Sequence, residues 1–192
     1  MKKILVVFGH PVKSTYEDIL KKTYVDAAIG SGATVKELIL RELNFEINFR
    51  EGYRGTQELE PDLKKAQELI SWADHLVFFY PNWWATYPAL LKGFIDRTFL
   101  PGFAFKYRKG NPFPEKLLTG KSARVVVTMD APPWYYYLHN FAPGHHAMRK
   151  GVLHFCGIKP VRISSIGPIR GSSDKQREKW IKLMDKIGTR QR

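Results

Sequence analysis

Short apolar runs alternate with amphipathic segments along nearly the whole chain, and this alternation limits the fold more than any other feature. Five runs are predicted to be strands: Ile4–Phe8, Val35–Leu40, Leu76–Tyr80, Arg124–Met129 and Val161–Ile166. Continuous apolar runs suit strands that are covered on both faces, as strands are in parallel sheets. The segments between them carry apolar residues at helical spacing, so we predict an α/β fold with helices on both faces of a five-stranded parallel sheet.

A doubly wound sheet of this kind with the strand order 2-1-3-4-5 is the middle layer of a three-layer sandwich. The 192 residues, 44% of them hydrophobic, can bury one sizeable core, and we predict a single domain over residues 1–192. No segment approaches the ~20 apolar residues of a membrane helix. The single cysteine, Cys156, excludes an internal disulfide framework and favours a reducing, cytoplasmic location.

Capping signals mark the starts of several helices. Ser14 and Glu17 have the spacing of a capping box, and Ser173 and Gln176 repeat that spacing before the last amphipathic segment. Pro61 opens another predicted helix, because proline is favoured at the first helical position.

Ligands of doubly wound sheets bind beyond the carboxyl ends of the strands, at the point where the strand order reverses. With the order 2-1-3-4-5, that point lies between the first and third strands. The loops that reach it are residues 9–15, 81–87 and 130–144, and the candidate site residues lie in or beside them.

The first of these loops reads GHPVKST, and the chain carries neither a GxGxxG nor a GxxxxGK[ST] motif. The hydroxyls of Ser14 and Thr15, together with free amides at a helix start, fit a phosphate group. The alternative is that Ser14 is only a helix cap and His10 only a turn residue, and the loop taken by itself favours this alternative.

The second loop carries a tryptophan pair between two prolines, in residues 81–88, PNWWATYP. Two indole rings just past a buried strand are costly to leave in water. A wall of aromatic rings beside free backbone amides suits a flat heteroaromatic ligand. The alternative is that a tryptophan covers the sheet edge or an oligomer interface, and we expect this of one of the two.

The third loop places four aromatic residues in a row, Trp134–Tyr137, after a Pro-Pro pair. They cannot all point inward, so some of them line a pocket or a partner surface. His145 and His146 follow, and an imidazole, whose pKa lies near neutrality, can protonate or hydrogen-bond a reducible carbonyl. A helix cap or a surface position is the alternative for both histidines, and for His146 we favour it.

With these residues the chain resembles the NAD(P)H:quinone oxidoreductase family of flavodoxin-like flavoproteins. The most specific match is residues 79–105, FYPNWWATYPALLKGFIDRTFLPGFAF, which follow the family's proline-aromatic flavin loop and its PA-LKG-x-x-DR-x-F pattern. The resemblance spans about residues 3–185. It implies a flavodoxin-like fold, a flavin cofactor, and a homodimer with the flavin near the interface.

The resemblance also implies which residues hold the flavin. They are His10, Ser14, Thr15 and Tyr16 in the first loop, Pro81, Asn82, Trp83, Trp84 and Ala85 in the second, and Thr128 and Asp130 at the third. Glu17 departs from the asparagine of the family's Ser-Phe-Asn trio, and we expect its carboxylate to turn back to a backbone N–H of the capping box. Residues 128–131 replace the Thr-Thr-Gly-Gly of many members, so the third loop departs most from the family.

The predicted catalytic residues are Tyr135, Tyr136 and His145, which fall near the family's tyrosine and histidine that line the quinone pocket. The implied reaction is ping-pong: NADPH or NADH reduces the flavin and leaves, and a quinone or a similar small aromatic acceptor takes its place. We favour FMN over FAD because nothing in the sequence identifies an adenine pocket, although the family uses both.

Two other functions are compared with this prediction: a transporter subunit, which stays an alternative, and nucleic-acid binding, which is not favoured. Relatives in potassium-efflux systems are ancillary subunits, so a membrane transporter is an alternative partner. The net charge of +13 raises nucleic-acid binding, but no run of five basic residues occurs and the aromatic residues cluster at strand ends, so no nucleic-acid partner is predicted. The histidines near Cys156 lack the spacing of metal ligands, and no metal is predicted.

The positive charge is confined to the second half of the chain. Residues 1–100 hold 13 basic and 13 acidic side chains, whereas residues 101–192 hold 18 and 5. The densest stretch, Lys106–Lys109, directly follows the GFAF motif. We expect part of this charge to attract the phosphates of the nicotinamide donor.

Overall fold

The computed structural model describes residues 1–191. Within them lie the strands β1 Lys3–Phe8, β2 Thr34–Ile39, β3 His75–Pro81, β4 Phe105–Lys106, β5 Glu115–Lys116, β6 Ser122–Thr128 and β7 Val161–Ile166. Five of them form one parallel sheet in the order β2-β1-β3-β6-β7, while β4 and β5 form a separate antiparallel pair. The pair was not predicted. Without it the order is 2-1-3-4-5, so the predicted topology is confirmed.

The helices are α1 Tyr16–Gly30, α2 Pro61–Trp72, α3 Ala89–Thr98, α4 Pro133–Leu138, α5 Pro143–His146 and α6 Asp174–Thr189. A 3₁₀ turn, Leu40–Glu42, follows β2, and a π-helix, Ala147–His154, continues α5. The predicted helix starts at Pro61 and Ser173 are confirmed, the latter as a capping box with Gln176. The third loop, in contrast, contains α4, which was not predicted.

The helices cover both faces of the sheet, which makes the predicted three-layer sandwich. Helices α1 and α6 pack on one face, where Leu20 and Met184 join a buried cluster with β1 and β3. Helices α2 and α3 and the π-helix pack on the other face, through residues such as Phe94 and Leu153. Every residue of β3 is buried, which explains why a continuous apolar run, and not an alternating one, marks this strand.

The start of α1 is one residue later than predicted. Thr15, not Ser14, is the N-cap residue, and its partner in the capping box is Asp18, not Glu17. The amide and the hydroxyl of Thr15 donate to Asp18 Oδ2 at 2.8 and 2.7 Å. Ser14 instead has a φ of 57°, in the left-handed region.

The long connection between β2 and α2 is fixed by a buried arginine. Arg97 of α3 donates to the Glu46 carbonyl at 2.8 Å and to the Glu58 carbonyl at 2.8 Å, and it pairs with Glu60 at 3.0 Å. Because an unpaired buried guanidinium is costly, these contacts hold the connection against α3. The arginine of the DR motif therefore has a structural role.

No helix among the described residues has the length and apolar character needed to cross a membrane.

Candidate functional site

The three predicted loops meet at one edge of the sheet, beyond the carboxyl ends of β1, β3 and β6. Pro81 at the end of β3 pairs with Thr128 at the end of β6, so the two strands end level. Backbone hydrogen bonds join the loops there: the Gly9 amide donates to the Phe79 carbonyl, and the Asn82 amide donates to the Thr128 carbonyl, each at 2.7 Å. Residues far apart in sequence are thus assembled where the strand order reverses.

Arg41, which no sequence signal marked, shapes the first loop. It donates to the carbonyls of His10 and Val12 at 3.3 and 3.2 Å and pairs with Asp18 at 2.8 Å. His10 has a turn role, since its Nδ1 accepts from the Val12 amide at 3.1 Å. Burial lowers the pKa of His10; the Asp18 carboxylate opposes this shift and the Arg41 charge adds to it. The imidazole is therefore mostly neutral at pH 7.

Of the side chains predicted to hold the cofactor at α1, those of Thr15 and Tyr16 are engaged elsewhere, whereas Ser14 is exposed. The Thr15 hydroxyl donates its proton to Asp18, and the Tyr16 hydroxyl donates to the Arg177 carbonyl of α6 at 2.7 Å. The backbone remains available, because the amides of Tyr16 and Glu17 donate to no acceptor among residues 1–191. The first amides of a helix, with its dipole, form a ready anion site.

Glu17 lies beneath this helix start and does not take part in the capping box, so the expectation for its carboxylate is wrong. The side chain is 2% exposed, and its Oε1 accepts from the Thr128 hydroxyl at 3.2 Å. Burial raises the pKa of Glu17 well above its usual value; the Thr128 hydrogen bond opposes this shift, and the Asp18 charge adds to it. Burial favours the neutral form of this acid, which repels a phosphate less than a carboxylate would, so this departure from the family does not conflict with a bound flavin phosphate.

The tryptophan pair forms a tight turn. The Thr86 amide donates to the Trp83 carbonyl at 3.0 Å, and the Trp83 amide donates to the Thr86 carbonyl at 2.9 Å. The central residues Trp84 and Ala85 have φ angles of 51° and 60°, the pattern of a type I′ turn, which favours asparagine and glycine. A left-handed residue that is not glycine costs about 1–2 kcal/mol. Such strain clusters at ligand sites.

The same turn presents unused donors. Trp84 is 99% exposed, and in the described chain the amides of Trp84 and Ala85 have no acceptor. The Trp83 ring is half-exposed and meets the His10 ring edge-on, with 6.1 Å between centroids. The second loop thus offers aromatic rings and free amides together, as predicted.

One aromatic residue of the third loop points inward and the other three are exposed, in agreement with the sequence. The buried one is Tyr136, 1% exposed, whose hydroxyl donates to the Ala85 carbonyl at 2.9 Å and accepts from the Gly144 amide at 3.0 Å. Tyr136, one of the predicted catalytic residues, therefore has its hydroxyl engaged within the protein. Tyr135 stays a candidate, since its ring, stacked on His139 at 4.7 Å, is exposed.

His145 is buried behind this loop, 4% exposed. Its Nε2 lies 2.8 Å from the Ser165 hydroxyl, which is itself 3.2 Å from the Tyr137 hydroxyl. Burial lowers the pKa of His145 to about 4, and the positive charges of Arg149 and His146 add to this shift. A neutral imidazole at this depth orients its neighbours and does not carry a charge at pH 7.

Asp130 braces the third loop against the loop after β7. Its Oδ1 accepts from the Arg170 amide at 2.9 Å, and the Met129 carbonyl accepts from the Ile169 amide at 3.0 Å. The amides of Asp130 and Ala131 donate to no acceptor in the described residues. Asp130 and Ala131 therefore replace the family's glycines without closing off these donors.

A cavity of about 750 Å³ lies beside this edge and not over it. Its walls come from residues 49–57, from α3 and from the π-helix, and none of the predicted site residues lines it. Of the residues that line the cavity, Tyr87 and Lys92 are the closest in sequence to the tryptophan turn. Cys156 lies on its inner wall, where burial raises the thiol pKa to about 12, so this cysteine is not a reactive thiolate.

No group of three or more histidine, cysteine, aspartate or glutamate side chains among residues 1–191 is arranged to hold a metal ion.

The unused donors fall into two groups that match the two ends of a flavin. The amides of Tyr16 and Glu17 fit a phosphate, and the amides of Trp84, Ala85 and Asp130 fit the polar edge of a flat heteroaromatic ring. The indole rings add an apolar wall. The residues present therefore fit a flavin mononucleotide.

A family model for the flavodoxin-like fold matches residues 2–186. The chain belongs to this family. This membership confirms the predicted fold, and the relatives below support the predicted resemblance to quinone oxidoreductases.

Two curated relatives and one solved structure cover nearly the same length. A Haemophilus influenzae protein named an uncharacterized NAD(P)H oxidoreductase is 29% identical over 185 residues, which are 93% of this chain and 90% of that one. The mouse ribosyldihydronicotinamide dehydrogenase [quinone] is 28% identical over 92% of this chain and 86% of its own. A Streptococcus mutans crystal structure is 31% identical, covers 98% and 99% of the two chains, and has a TM-score of 0.82.

Proposed function

We propose that this chain is a flavin-dependent NAD(P)H oxidoreductase that reduces quinones or similar electrophilic aromatic acceptors. The observation that carries the proposal is that two sets of backbone amides lack an acceptor at one edge of the sheet. One set lies at the start of α1 and the other in and beside the tryptophan turn. Relatives of the same length, named an NAD(P)H oxidoreductase and a quinone dehydrogenase, support the reaction class.

The phosphate of the cofactor is proposed to lie at the start of α1. The amides of Tyr16 and Glu17 donate to it and the helix dipole favours it, while the raised pKa of the buried Glu17 reduces the repulsion that a carboxylate would cause. Ser14 is exposed and available as a further donor. We favour FMN because one phosphate site is formed here and no adenine pocket is identified, with FAD as the alternative.

The flavin ring is proposed to lie against the tryptophan turn. Trp83 and Trp84 supply aromatic surface, while the amides of Trp84, Ala85 and Asp130 are placed to donate to ring carbonyls and nitrogens. Pro81 and Asn82 carry the chain from β3 into this turn, with the Asn82 amide tied to β6. Bound flavin supplies the hydride chemistry, accepting from a nicotinamide and passing electrons to the acceptor.

The remaining residues bind and orient the donor and the acceptor. We propose that both use the open face beside Trp84 in turn, because no separate nucleotide-binding motif is present, and this sharing makes the kinetics ping-pong. The exposed Tyr135 hydroxyl is placed to hydrogen-bond an acceptor carbonyl. The neutral imidazole of His145 holds Ser165, whose hydroxyl also contacts Tyr137.

A homodimer is part of the proposal. Large exposed aromatic residues line the cavity, among them Tyr53 and Tyr107, and an oligomer interface would cover them. We also propose a cytoplasmic location, which the free, buried Cys156 supports. The alternative role as a transporter subunit finds no support in these relatives.

Purified protein tests the proposal directly. We expect it to be yellow, or to bind added FMN with quenching of flavin fluorescence, and to be bleached anaerobically by NADH or NADPH. Initial rates with a water-soluble benzoquinone should give parallel double-reciprocal lines. Protein that is colourless and takes up neither FMN nor FAD would overturn the proposal.

A further inference from the structure

Tyr136 and the tryptophan turn form a closed hydrogen-bond arrangement. The Ala85 carbonyl accepts from the Tyr136 hydroxyl at 2.9 Å and from the Gly144 amide at 3.0 Å, and the Gly144 amide also lies 3.0 Å from the Tyr136 hydroxyl. These three groups come from the turn, from α4 and from α5. Tyr136 and Gly144 are buried and Ala85 is half-buried, so water has little access to the contacts.

The turn needs an external restraint. Trp84 and Ala85 both have left-handed φ angles without being glycine or asparagine, so their own conformational preference opposes the turn. The bond from the Thr86 amide to the Trp83 carbonyl holds the Ala85–Thr86 peptide from inside the turn. The Ala85 carbonyl lies in the same peptide plane and points out of the turn, where the contacts from Tyr136 and Gly144 hold it from outside.

Tyr136 and Gly144 form a clamp around the Ala85 carbonyl, and this clamp is tightly packed. A Cβ added at Gly144 would lie 2.8 Å from the Ala85 carbonyl oxygen, 2.8 Å from Thr86 Cα and 3.0 Å from the Tyr136 hydroxyl. Glycine is therefore the residue that allows α5 to approach the turn this closely. The Ala142 amide donates to the Tyr136 carbonyl at 3.1 Å, which ties the start of α5 to α4.

We propose that Tyr136 is a positioning residue, which holds the strained Trp83–Thr86 turn so that the amides of Trp84 and Ala85 face the ligand. It contacts no substrate and acts only through the Ala85 carbonyl. The identity of the ligand as a flavin rests on the proposed function, whereas the clamp itself does not.

Tyr136→Phe removes the hydroxyl and keeps the ring. In the protein without cofactor, we expect amide hydrogen exchange at Thr86 and Gly144 to become about three- to tenfold faster, the factor that loss of one hydrogen bond gives. Exchange at Asn82 should not change, because its amide is held by Thr128. Unchanged exchange at both Thr86 and Gly144 would overturn the clamp, whether or not the protein binds a flavin.

The matched control is Tyr80→Phe. Tyr80 is buried on β3 just before the turn, and its hydroxyl has no hydrogen-bond partner among residues 1–191. This variant removes a buried tyrosine hydroxyl close to the same loop and should leave exchange at Thr86 and Gly144 as in the wild type. Equal acceleration in both variants would overturn the proposal, since general loosening of the core would then explain it.

The positioning role is measured with FMN. Tyr136→Phe should weaken FMN binding about three- to tenfold and shift the midpoint potential of the bound flavin, while Tyr80→Phe should change neither. Gly144→Ala, which pushes on the turn from the other side, should reproduce the effects if Tyr136→Phe folds poorly. Wild-type affinity and potential in folded Tyr136→Phe would overturn the positioning role. Failure of the wild type to bind any flavin would instead overturn the proposed function, leaving the exchange result to decide on the clamp.

Discussion

The hydroxyl of Thr128 donates to the carboxyl of Glu17 at 3.2 Å, which joins the end of β6 to the first turn of α1 across the middle of the site. The other carboxyl oxygen of Glu17 is buried and has no partner among the described residues. A charged carboxylate here would lack the hydrogen bonds that it needs, which is why burial raises the pKa of Glu17. The site is thus built over an acid that prefers to be neutral.

Glu17→Gln should stabilise the protein at higher pH. A folded-state pKa above the unfolded value means that the folded chain binds more protons, so stability falls as the pH rises above about 4.5. Glutamine keeps an oxygen for Thr128 and carries no charge. We expect the variant to gain about 1.4 kcal/mol for each unit by which the pKa is raised, at a pH above the folded-state pKa, and little at pH 4.

Urea unfolding of both proteins between pH 4 and pH 9 measures this difference. Glu178→Gln is the control, since Glu178 is exposed and pairs with Lys182 on the surface of α6. A control that gains as much stability as Glu17→Gln at pH 9, or a Glu17→Gln curve parallel to that of the wild type, would contradict the prediction.

His145 should make the fold less stable in acid. Its pKa is lowered to about 4, so between pH 6.5 and 4 the unfolded chain binds a proton that the folded chain does not bind. The stability of the fold therefore falls as the pH is lowered through this range. In His145→Asn this contribution is absent. The slope of stability against pH should be shallower by up to about 1.4 kcal/mol per pH unit over that range, the value for one proton.

His146→Asn provides the comparison, because His146 is the exposed neighbour. Denaturant unfolding at half-unit steps from pH 4.5 to pH 7 gives the slopes. His75, whose pKa burial lowers to about 3, contributes in the same direction in all three proteins, so only the difference between variants is informative. A slope for His145→Asn equal to that of the wild type would refute the prediction.

The fold was predictable because strands that are buried on both faces of a sheet are recognisable in the sequence as continuous apolar runs. The runs that became β1, β3 and β6 are continuous and apolar for that reason, and their order places the three loops together. The start of α1 was not decided by local signals. Ser14 and Glu17 have capping-box spacing, and so do Thr15 and Asp18. Only the burial of Glu17 beneath Thr128, 111 residues away, selects the second pair.

The roles of Tyr136 and Arg41 depended on contacts with no sequence signature. Four consecutive aromatic residues show no period, so nothing indicates which one faces inward until α4 forms beside the tryptophan turn. Arg41 is a single arginine after β2, and its partners lie 23 to 31 residues earlier. Backbone amides, which carry much of the proposed site, are the same for every residue type except proline, so the sequence does not show which of them lack an acceptor in the fold.

Trp84→Gly should separate strain from function. Glycine adopts the left-handed φ of this position at little cost, so we expect the free energy of unfolding to rise by about 0.5–1 kcal/mol after the greater entropy of the unfolded chain is counted. The indole ring proposed to face the flavin is lost, and FMN affinity should fall. Ala85→Gly relieves the same kind of strain and removes no ring.

Chemical unfolding and FMN titration of both variants test this separation. We expect Ala85→Gly to gain stability without the loss of affinity seen in Trp84→Gly. Equal FMN affinity for Trp84→Gly and the wild type would show that this ring does not contact the flavin. A loss of stability in both variants would show that the turn is not strained.

Arg41→Lys should damage the first loop although it keeps the charge. The guanidinium reaches two carbonyls and the Asp18 carboxylate at once, and an ammonium cannot reproduce that planar arrangement. We expect a loss of about 1–3 kcal/mol in stability, since a partly buried hydrogen-bonded pair is broken, and weaker FMN binding because the start of α1 is no longer held.

Arg50→Lys is the matched control, because Arg50 is exposed and pairs with Glu46 only on the surface. Surface pairs contribute about 0–1 kcal/mol, so this variant should stay close to the wild type in stability and in FMN affinity. Arg41→Lys could instead lose stability and keep the FMN affinity of the wild type. Arg41 would then support the loop without helping to form the phosphate site. The proposed position of the phosphate at the start of α1 would lose its support from the loop geometry.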